Sequence, residues 1–195
     1  MVQIDDGTGT GRKVEIDEDN HLHSRAVDES LEHFSNEARH EAYHLVFACS
    51  GILPNSPFLY MKNTDQDNNI VIEGIKVHTP ADVVIDHVLN PTVGTVTGTE
   101  ATPANCNAGT GNVADGDFYI CMSGCVSGVI NTGCAVVVDR TYTCSGCDEH
   151  NYNYEMDVIV PENKAMALFM MDSACSGCNI GGTIPFYYSR KSLHV

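Results

Sequence analysis

Short runs rich in β-branched and aromatic residues recur along the chain from residue 43 onward. Gly, Pro, Asn and Asp, which favour turns, separate these runs, and no helical pattern alternates with them. Runs of this length and composition are typical of β-strands. The pattern predicts nine strands, over residues 43–48, 56–63, 69–79, 82–89, 117–123, 134–142, 153–160, 164–171 and 183–189.

The longest interruption, residues 90–116, reads "NPTVGTVTGTEATPANCNAGTGNVADG". Its Gly, Thr, Asn and Pro content predicts a segment that is mostly loop, with room for one short strand. Many short strands without alternating helices predict a mainly β fold, either an antiparallel β-sandwich or a jelly roll. We expect residues 43–191 to form this β-sandwich domain.

The first 42 residues have a different character. Residues 1–27 alternate polar and β-forming segments and contain too few apolar residues to build a core, so they predict an extended N-terminal arm. Residues 28–42, "DESLEHFSNEARHEA", contain helix formers behind a candidate N-cap at Asp28, with Leu31, Phe34 and Ala38 near one face. A short helical linker is therefore expected between the arm and the sandwich.

The charge of the chain restricts its partners. It has 195 residues, 26 acidic against 10 basic, and a formal net charge of -16. Such a surface repels phosphate groups, which argues against nucleic acid and anionic membranes as partners. The N-terminus "MVQIDDGTGTGRK" lacks the basic start and apolar core of a signal peptide, and no run of about 18 apolar residues occurs. We expect a soluble protein made in the cytosol.

One segment matches a catalytic motif. His40, Glu41 and His44 stand in the order H-E-x-x-H, which on a helix supplies two zinc ligands and the general base of a metalloprotease. However, the strand-like "LVFACSG" follows directly, and no downstream motif offers a third ligand. The context favours a chance match, and the metalloprotease is kept only as the weaker alternative. "DQDNN", residues 65–69, begins like a calcium loop but lacks its Gly and distal Glu, and it predicts a tight turn between strands.

Nine cysteines are the strongest chemical signal, and "CSGC" occurs twice. Two CxxC pairs can hold one tetrahedral zinc ion, if the strands between them form a hairpin about residues 161–164 that brings their loops together. Disulfides or free thiols are the other interpretation, because the oxidation state depends on where the protein resides. The candidate residues for structural zinc or for disulfides are Cys144, Cys147, Cys175 and Cys178. No other cofactor is required.

Several phrases in order along nearly the whole chain resemble auxiliary virion proteins of tailed bacteriophages, of the head decoration, cement or fibre kind. They are "VQIDDGTGTGRKVEIDEDNHLHSRAV", "SPFLYMKNTDQDNNIVIEGI", the loop "NPTVGTVTGTEATPANCNAGTG" and the closing "VIVPENKAMALFM". The resemblance implies a jelly-roll-like domain with an N-terminal extension, commonly trimeric, and no enzymatic activity. The cysteine content departs from this family, whose members usually need none.

The resemblance leads to a functional expectation. We expect a noncatalytic structural protein on the capsid surface of a virion, bound to the major capsid protein and to neighbouring copies of itself in a homotrimer. An arm with few apolar residues gains order by wrapping a partner or adding a strand to it, which fits such a role. The alternative is a tail or head fibre component that binds host surface glycans.

Overall fold

The computed structural model describes residues 35–91, 98–122, 136–143, 150–173 and 177–191, all within one compact unit, Leu31–Val195. A short π-type helical turn, Ser35–Arg39, comes first. Eleven strands follow in the described residues: β1 (Ala42–Ile52), β2 (Ser56–Asn63), β3 (Asn68–His78), β4 (Val83–Leu89), β5 (Thr99–Glu100), β6 (Ala104–Asn105), β7 (Gly116–Ile120), β8 (Val136–Tyr142), β9 (His150–Val160), β10 (Ala165–Ser173) and β11 (Cys178–Arg190).

The strands form two antiparallel sheets. The five-stranded sheet has the order β6-β1-β11-β3-β9, and the six-stranded sheet has the order β5-β7-β2-β10-β4-β8. From β1 to β4, and again from β9 to β11, each strand belongs to the opposite sheet from the one before it. The predicted mainly β, sandwich-type fold is confirmed.

Alternation of side chains along the strands builds the core between the sheets. In β1, Tyr43, Leu45 and Phe47 are buried whereas His44 and Val46 are exposed, as the period of two requires. Strand β10 is apolar from Ala165 to Met171, because Met166 and Leu168 join the main core while Ala167 and Phe169 join a second apolar cluster with Tyr60 and Val88. A continuous apolar run therefore marks a strand buried on both faces.

Each of the nine predicted strands has a counterpart in the structure, although β1 continues to Ile52 and β11 already begins at Cys178. Two other predictions need correction. The loop predicted over residues 90–116 contains two strands of two residues each, β5 and β6. The helix predicted over residues 28–42 has ended by Arg39, because His40 adopts a left-handed backbone conformation (φ 58°) and Ala42 begins β1. Residues 1–34, including the predicted arm, lie outside the described residues. No helix in the described part of the chain is long and apolar enough to cross a membrane.

The predicted hairpin about residues 161–164 is wrong. Strand β9 pairs with β3, whereas β10 pairs with β2 and β4 in the other sheet. The turn therefore carries the chain across the sandwich. Both strands are rich in apolar residues and gain more burial as members of opposite sheets than as an isolated ribbon.

The buried side chain of Asn63 holds together the end of the sandwich at which β2 and β9 finish. Asn63 of β2 donates from Nδ2 to the carbonyl oxygens of Asn68 and Val160, each at 2.9 Å, and its Oδ1 accepts from the Asp65 amide at 2.9 Å. The Asp65 carboxylate in turn accepts from the amides of Asp67 and Asn68. These bonds hold the tight turn predicted for "DQDNN" and connect β2 of the six-stranded sheet to β9 of the five-stranded sheet.

The tight approach of β11 to its neighbours gives a first prediction. A Cβ atom on Gly182 would lie 2.0 Å from the carbonyl oxygen of Lys76 and 2.8 Å from Cζ of Phe47. Gly182→Ala is expected to lower the free energy of unfolding by about 1–3 kcal/mol, because backbone and core must move apart. Urea unfolding measures the change. Gly111→Ala, where the added Cβ meets nothing within 4 Å, is the control and should change stability little; equal effects in the two variants would contradict the packing described.

Candidate functional site

A group of hydrogen-bonded polar side chains lies on one lateral side of the sandwich, where β8 of the six-stranded sheet faces β9 of the five-stranded sheet. We call this group the tyrosine seam. Its members come from β4, β8 and β9 and are His87, Asp139, Thr141, Tyr152 and Tyr154.

The pairing of β4 with β8 explains which side chains point inward. Asp86 is opposite Arg140, and His87 is opposite Asp139. The next pair is Val88 with Val137, so Val138 is the extra residue of a β-bulge in β8. Because side chains alternate between the faces of a sheet, His87 and Asp139 share one face and Asp86 and Arg140 share the other. The first pair points toward β9.

His87 lies at the centre of the seam and is 0% exposed. Its Nδ1 is 2.7 Å from the hydroxyl of Tyr154, and its Nε2 is 3.0 Å from the hydroxyl of Thr141. A neutral imidazole has one donor and one acceptor, so both of its ring nitrogens are satisfied. Burial lowers the pKa of His87 to about 4, although Asp139 and Asp86 act in the opposite direction. At neutral pH His87 is therefore an uncharged bridge between strands.

The two tyrosines connect the sheets. Burial, with the nearby Asp139 and Tyr152, raises the pKa of Tyr154, so that its hydroxyl stays protonated. Tyr152 donates its hydroxyl hydrogen to Oδ2 of Asp139. Together these contacts join β9 to β4 and β8, and they close this side of the sandwich by hydrogen bonding.

On the outer face of the same strands, Asp86 and Arg140 form a bidentate pair. Arg140 Nη2 donates to Asp86 Oδ2 at 2.8 Å, and Arg140 Nε donates to Asp86 Oδ1. The Asp86 side chain is buried and that of Arg140 is half exposed. The hydrogen bonds to Asp86 raise the pKa of Arg140, and a hydrogen bond with Tyr142 is the next largest cause of this increase. The pair gives the buried carboxylate its counter-charge and directs Arg140 away from the seam.

A cleft of about 590 Å³ opens beside the seam between β8 and β9. Its polar lining is two carboxylates, Asp139 and Asp157, and two tyrosines, Tyr152 and Tyr154. The remaining lining is apolar and consists of Leu89, Val138, Val158 and Ile159. The cleft can hold a side chain or a small ligand that is cationic or rich in hydroxyl groups.

The H-E-x-x-H match does not lie on a helix. His40 follows the helical turn, and its Nδ1 is 2.8 Å from Asn107 Nδ2 and 3.2 Å from the Asn36 carbonyl oxygen. Glu41 forms an ion pair with Arg39, and burial raises its pKa. His44 is an exposed residue of β1, paired with Pro185 and Ala104. The helical face that presents both histidines of a metalloprotease to one zinc ion is replaced here by the start of a strand.

The opposite lateral side of the sandwich has a covalent link. A disulfide joins Cys49 of β1 to Cys121, directly after β7, with a Cα–Cα distance of 4.8 Å. It connects the five-stranded to the six-stranded sheet. Sequence reasoning did not find this pairing, because the two residues are 72 positions apart and Cys49 belongs to no cysteine motif.

The four predicted zinc or disulfide residues are only partly described. Cys178 is the buried first residue of β11 and is disulfide-bonded. Cys144, Cys147 and Cys175 lie outside the described residues, so the choice between zinc and disulfides at these positions stays a prediction. Within the described ranges, no group of three or more His, Cys, Asp or Glu side chains could hold a metal ion.

Comparison of this chain with protein-family models, with curated protein sequences and with solved structures finds no match.

Proposed function

We propose that this chain is a noncatalytic structural protein of a tailed-phage virion, which decorates or stabilises the capsid as a cement protein. The sequence resemblance and the β-sandwich support the proposal. The structural observation that carries it is strand β8, which begins with three exposed valines and lies at the edge of the six-stranded sheet.

Strand β8 exposes an unusual amount of apolar surface. Val136, Val137 and Val138 are 56%, 47% and 39% exposed, and Tyr142 is 66% exposed. Within the described residues β8 pairs with β4 alone. An edge strand of this kind is prone to pair with other chains, and soluble proteins usually protect such edges with charge or with a covering segment. A surface that binds another protein explains why these apolar residues are exposed.

The net charge of the chain influences which partners can approach this surface. With a net charge of -16, free copies repel one another at long range, so contacts between copies depend on short-range apolar and backbone interactions. A capsid surface with basic side chains would be attracted and would bind faster. The proposed partners are accordingly the major capsid protein and neighbouring copies in a trimer.

A fibre component that binds host glycans is the second candidate. The cleft beside the seam favours it, because tyrosine rings and carboxylates together can stack on sugars and accept hydrogen bonds from them. This candidate does not account for the apolar edge of β8.

Val137→Lys tests the role of β8. Lysine at this position places a charge where the proposed contact excludes water, so we expect at least about a tenfold loss of affinity for undecorated heads of the phage that encodes the chain. The measurement is co-sedimentation of purified protein with those heads over a range of concentrations.

Val46→Lys is the matched control, because Val46 is 60% exposed on β1 of the five-stranded sheet, where it pairs with Thr183 of β11 and lies away from β8. It should bind like the wild type. Wild-type protein that stays in the supernatant at every concentration would refute the capsid role, and equal losses in both variants would refute the role of β8.

A further inference from the structure

We infer that the cleft between β8 and β9 binds a lysine or arginine side chain of the protein that docks on β8. This inference rests on the proposed function and specifies the chemistry of the partner. It uses the shape of the cleft, its charges, its aromatic rings and its position beside the exposed edge strand.

The lining of the cleft suits a long side chain with a charged end. Leu89, Val138 and Val158 offer apolar surface to a methylene stem. Lysine and arginine bury such stems against apolar surface while the charged group reaches polar partners. A small anion or a fully apolar group would leave one half of this lining unmatched.

The charged groups among the described residues of the cleft, Asp139 and Asp157, are both negative. Asp157 is exposed, and its carboxylate has no hydrogen-bond partner among the described residues, while Asp139 accepts from Tyr152 and from the Arg140 amide. A carboxylate accepts up to about four hydrogen bonds, so Asp139 retains capacity for a further donor. The nearest basic side chain on β8, Arg140, is bound to Asp86 on the other face of the sheet. None of the lining residues that the structure describes supplies a counter-charge.

The aromatic rings add to this preference. Tyr152 and Tyr154 stand nearly perpendicular, with ring centroids 5.4 Å apart and an interplanar angle of 76°. Both hydroxyls are engaged within the seam, which fixes the rings in place. A cation near the face of a tyrosine ring gains about 0.5–2 kcal/mol, according to how far it is desolvated. Neutral sugars can also stack on tyrosine, so methyl glycosides are used as the competing probes.

The position of Val138 links the cleft to the edge strand. Val138 is the extra residue of the β8 bulge, it is 39% exposed, and it also lines the cleft. An extended segment that adds to β8 would pass beside the cleft opening, and its alternate side chains would point toward the face on which Asp139 lies. One basic residue in that segment would be enough to fill the cleft.

The direct test is a titration of ¹⁵N-labelled protein with Nα-acetyl-lysine amide and Nα-acetyl-arginine amide, followed by NMR. We expect saturable shifts centred on Tyr152, Tyr154 and Asp157. Asp157→Asn should weaken binding about two- to fivefold, the range for one exposed charge pair. Asp67→Asn removes the same charge from the turn between β2 and β3 and should leave binding unchanged.

Three outcomes would overturn the inference. The first is equal shifts with the uncharged Nα-acetyl-norleucine amide, and the second is shifts that spread over the whole acidic surface without saturation. The third is saturable shifts with methyl glucoside or methyl galactoside and none with lysine. The last would favour the glycan-binding candidate. The inference and the proposed function fail separately: a protein that binds lysine amide in the cleft but does not bind heads would keep this inference and lose the capsid role.

Discussion

Replacing both Cys49 and Cys121 with alanine is expected to lower the free energy of unfolding by about 4 kcal/mol. The disulfide joins residues 72 positions apart, and a cross-link over such a distance removes much of the conformational entropy of the unfolded chain. It also connects the two sheets, so its loss frees one side of the sandwich. Urea unfolding of the double variant, without reducing agent, measures the effect.

The control for this prediction is Cys106→Ala, which removes an exposed thiol side chain just after β6. It should change stability by less than about 0.5 kcal/mol, as exposed substitutions generally do. A double variant as stable as the wild type would mean that the cross-link contributes nothing to folding. Sulfur oxidation state can be checked independently by mass measurement before and after thiol alkylation.

The tyrosine seam gives the second large effect, a loss of stability in acid. The pKa of His87 is about 4 in the folded protein against 6.5 as its ordinary value, so between these values the unfolded chain binds a proton that the folded chain does not. The stability contributed by neutral His87 is therefore complete above about pH 6.5 and falls as the pH drops toward 4. The loss reaches about 3 kcal/mol at pH 4.

Carboxylates also titrate near pH 4, so the prediction is tested as a difference between variants. His87→Gln retains hydrogen-bonding capacity but cannot gain a charge, and its stability should fall by about 3 kcal/mol less than that of the wild type between pH 7 and pH 4. His44→Gln, at an exposed position of β1, should keep the wild-type pH dependence. Identical pH profiles for wild type and His87→Gln would show that His87 does not carry the effect.

Local pattern was sufficient to predict the strands but not their partners. Residues 56–63 were predicted as a strand and form β2 with the same bounds, because both ends are marked by turn residues. The assignment of β9 and β10 to one hairpin was wrong, since a short turn joins two strands equally well within a sheet and across a sandwich. Burial against distant strands decides between these arrangements, and a single sequence does not contain that information directly.

The candidate site was missed for a related reason. His87 lies in the strand "DVVIDHVL", and Tyr152 and Tyr154 lie two residues apart in "NYNYE", so a polar pair in an apolar strand and two tyrosines on one face were visible signals. Nothing local indicated that β4, β8 and β9 meet. The H-E-x-x-H match, by contrast, was visible and misleading, because a four-letter pattern does not specify that its residues share a helix.

The two lateral sides of the sandwich are closed by different chemistry. A disulfide closes the side of β1 and β7, while the tyrosine seam closes the side of β8 and β9. The exposed edge strand and the acidic cleft both lie on the side closed by hydrogen bonds. Partner binding and proton uptake by His87 are therefore expected to affect the same side of the sandwich, that of β8 and β9. The disulfide is expected to affect mainly overall stability.

The proposed role is measured most directly by a density map of an intact tailed-phage virion whose genome is found to carry the coding sequence of this chain. We expect the two-sheet sandwich on the outer surface of the head, as a trimer, with the edge of β8 in contact with a neighbouring protein. A map that accounts for the whole head surface with other proteins, from particles in which mass spectrometry does not detect this chain, would contradict it.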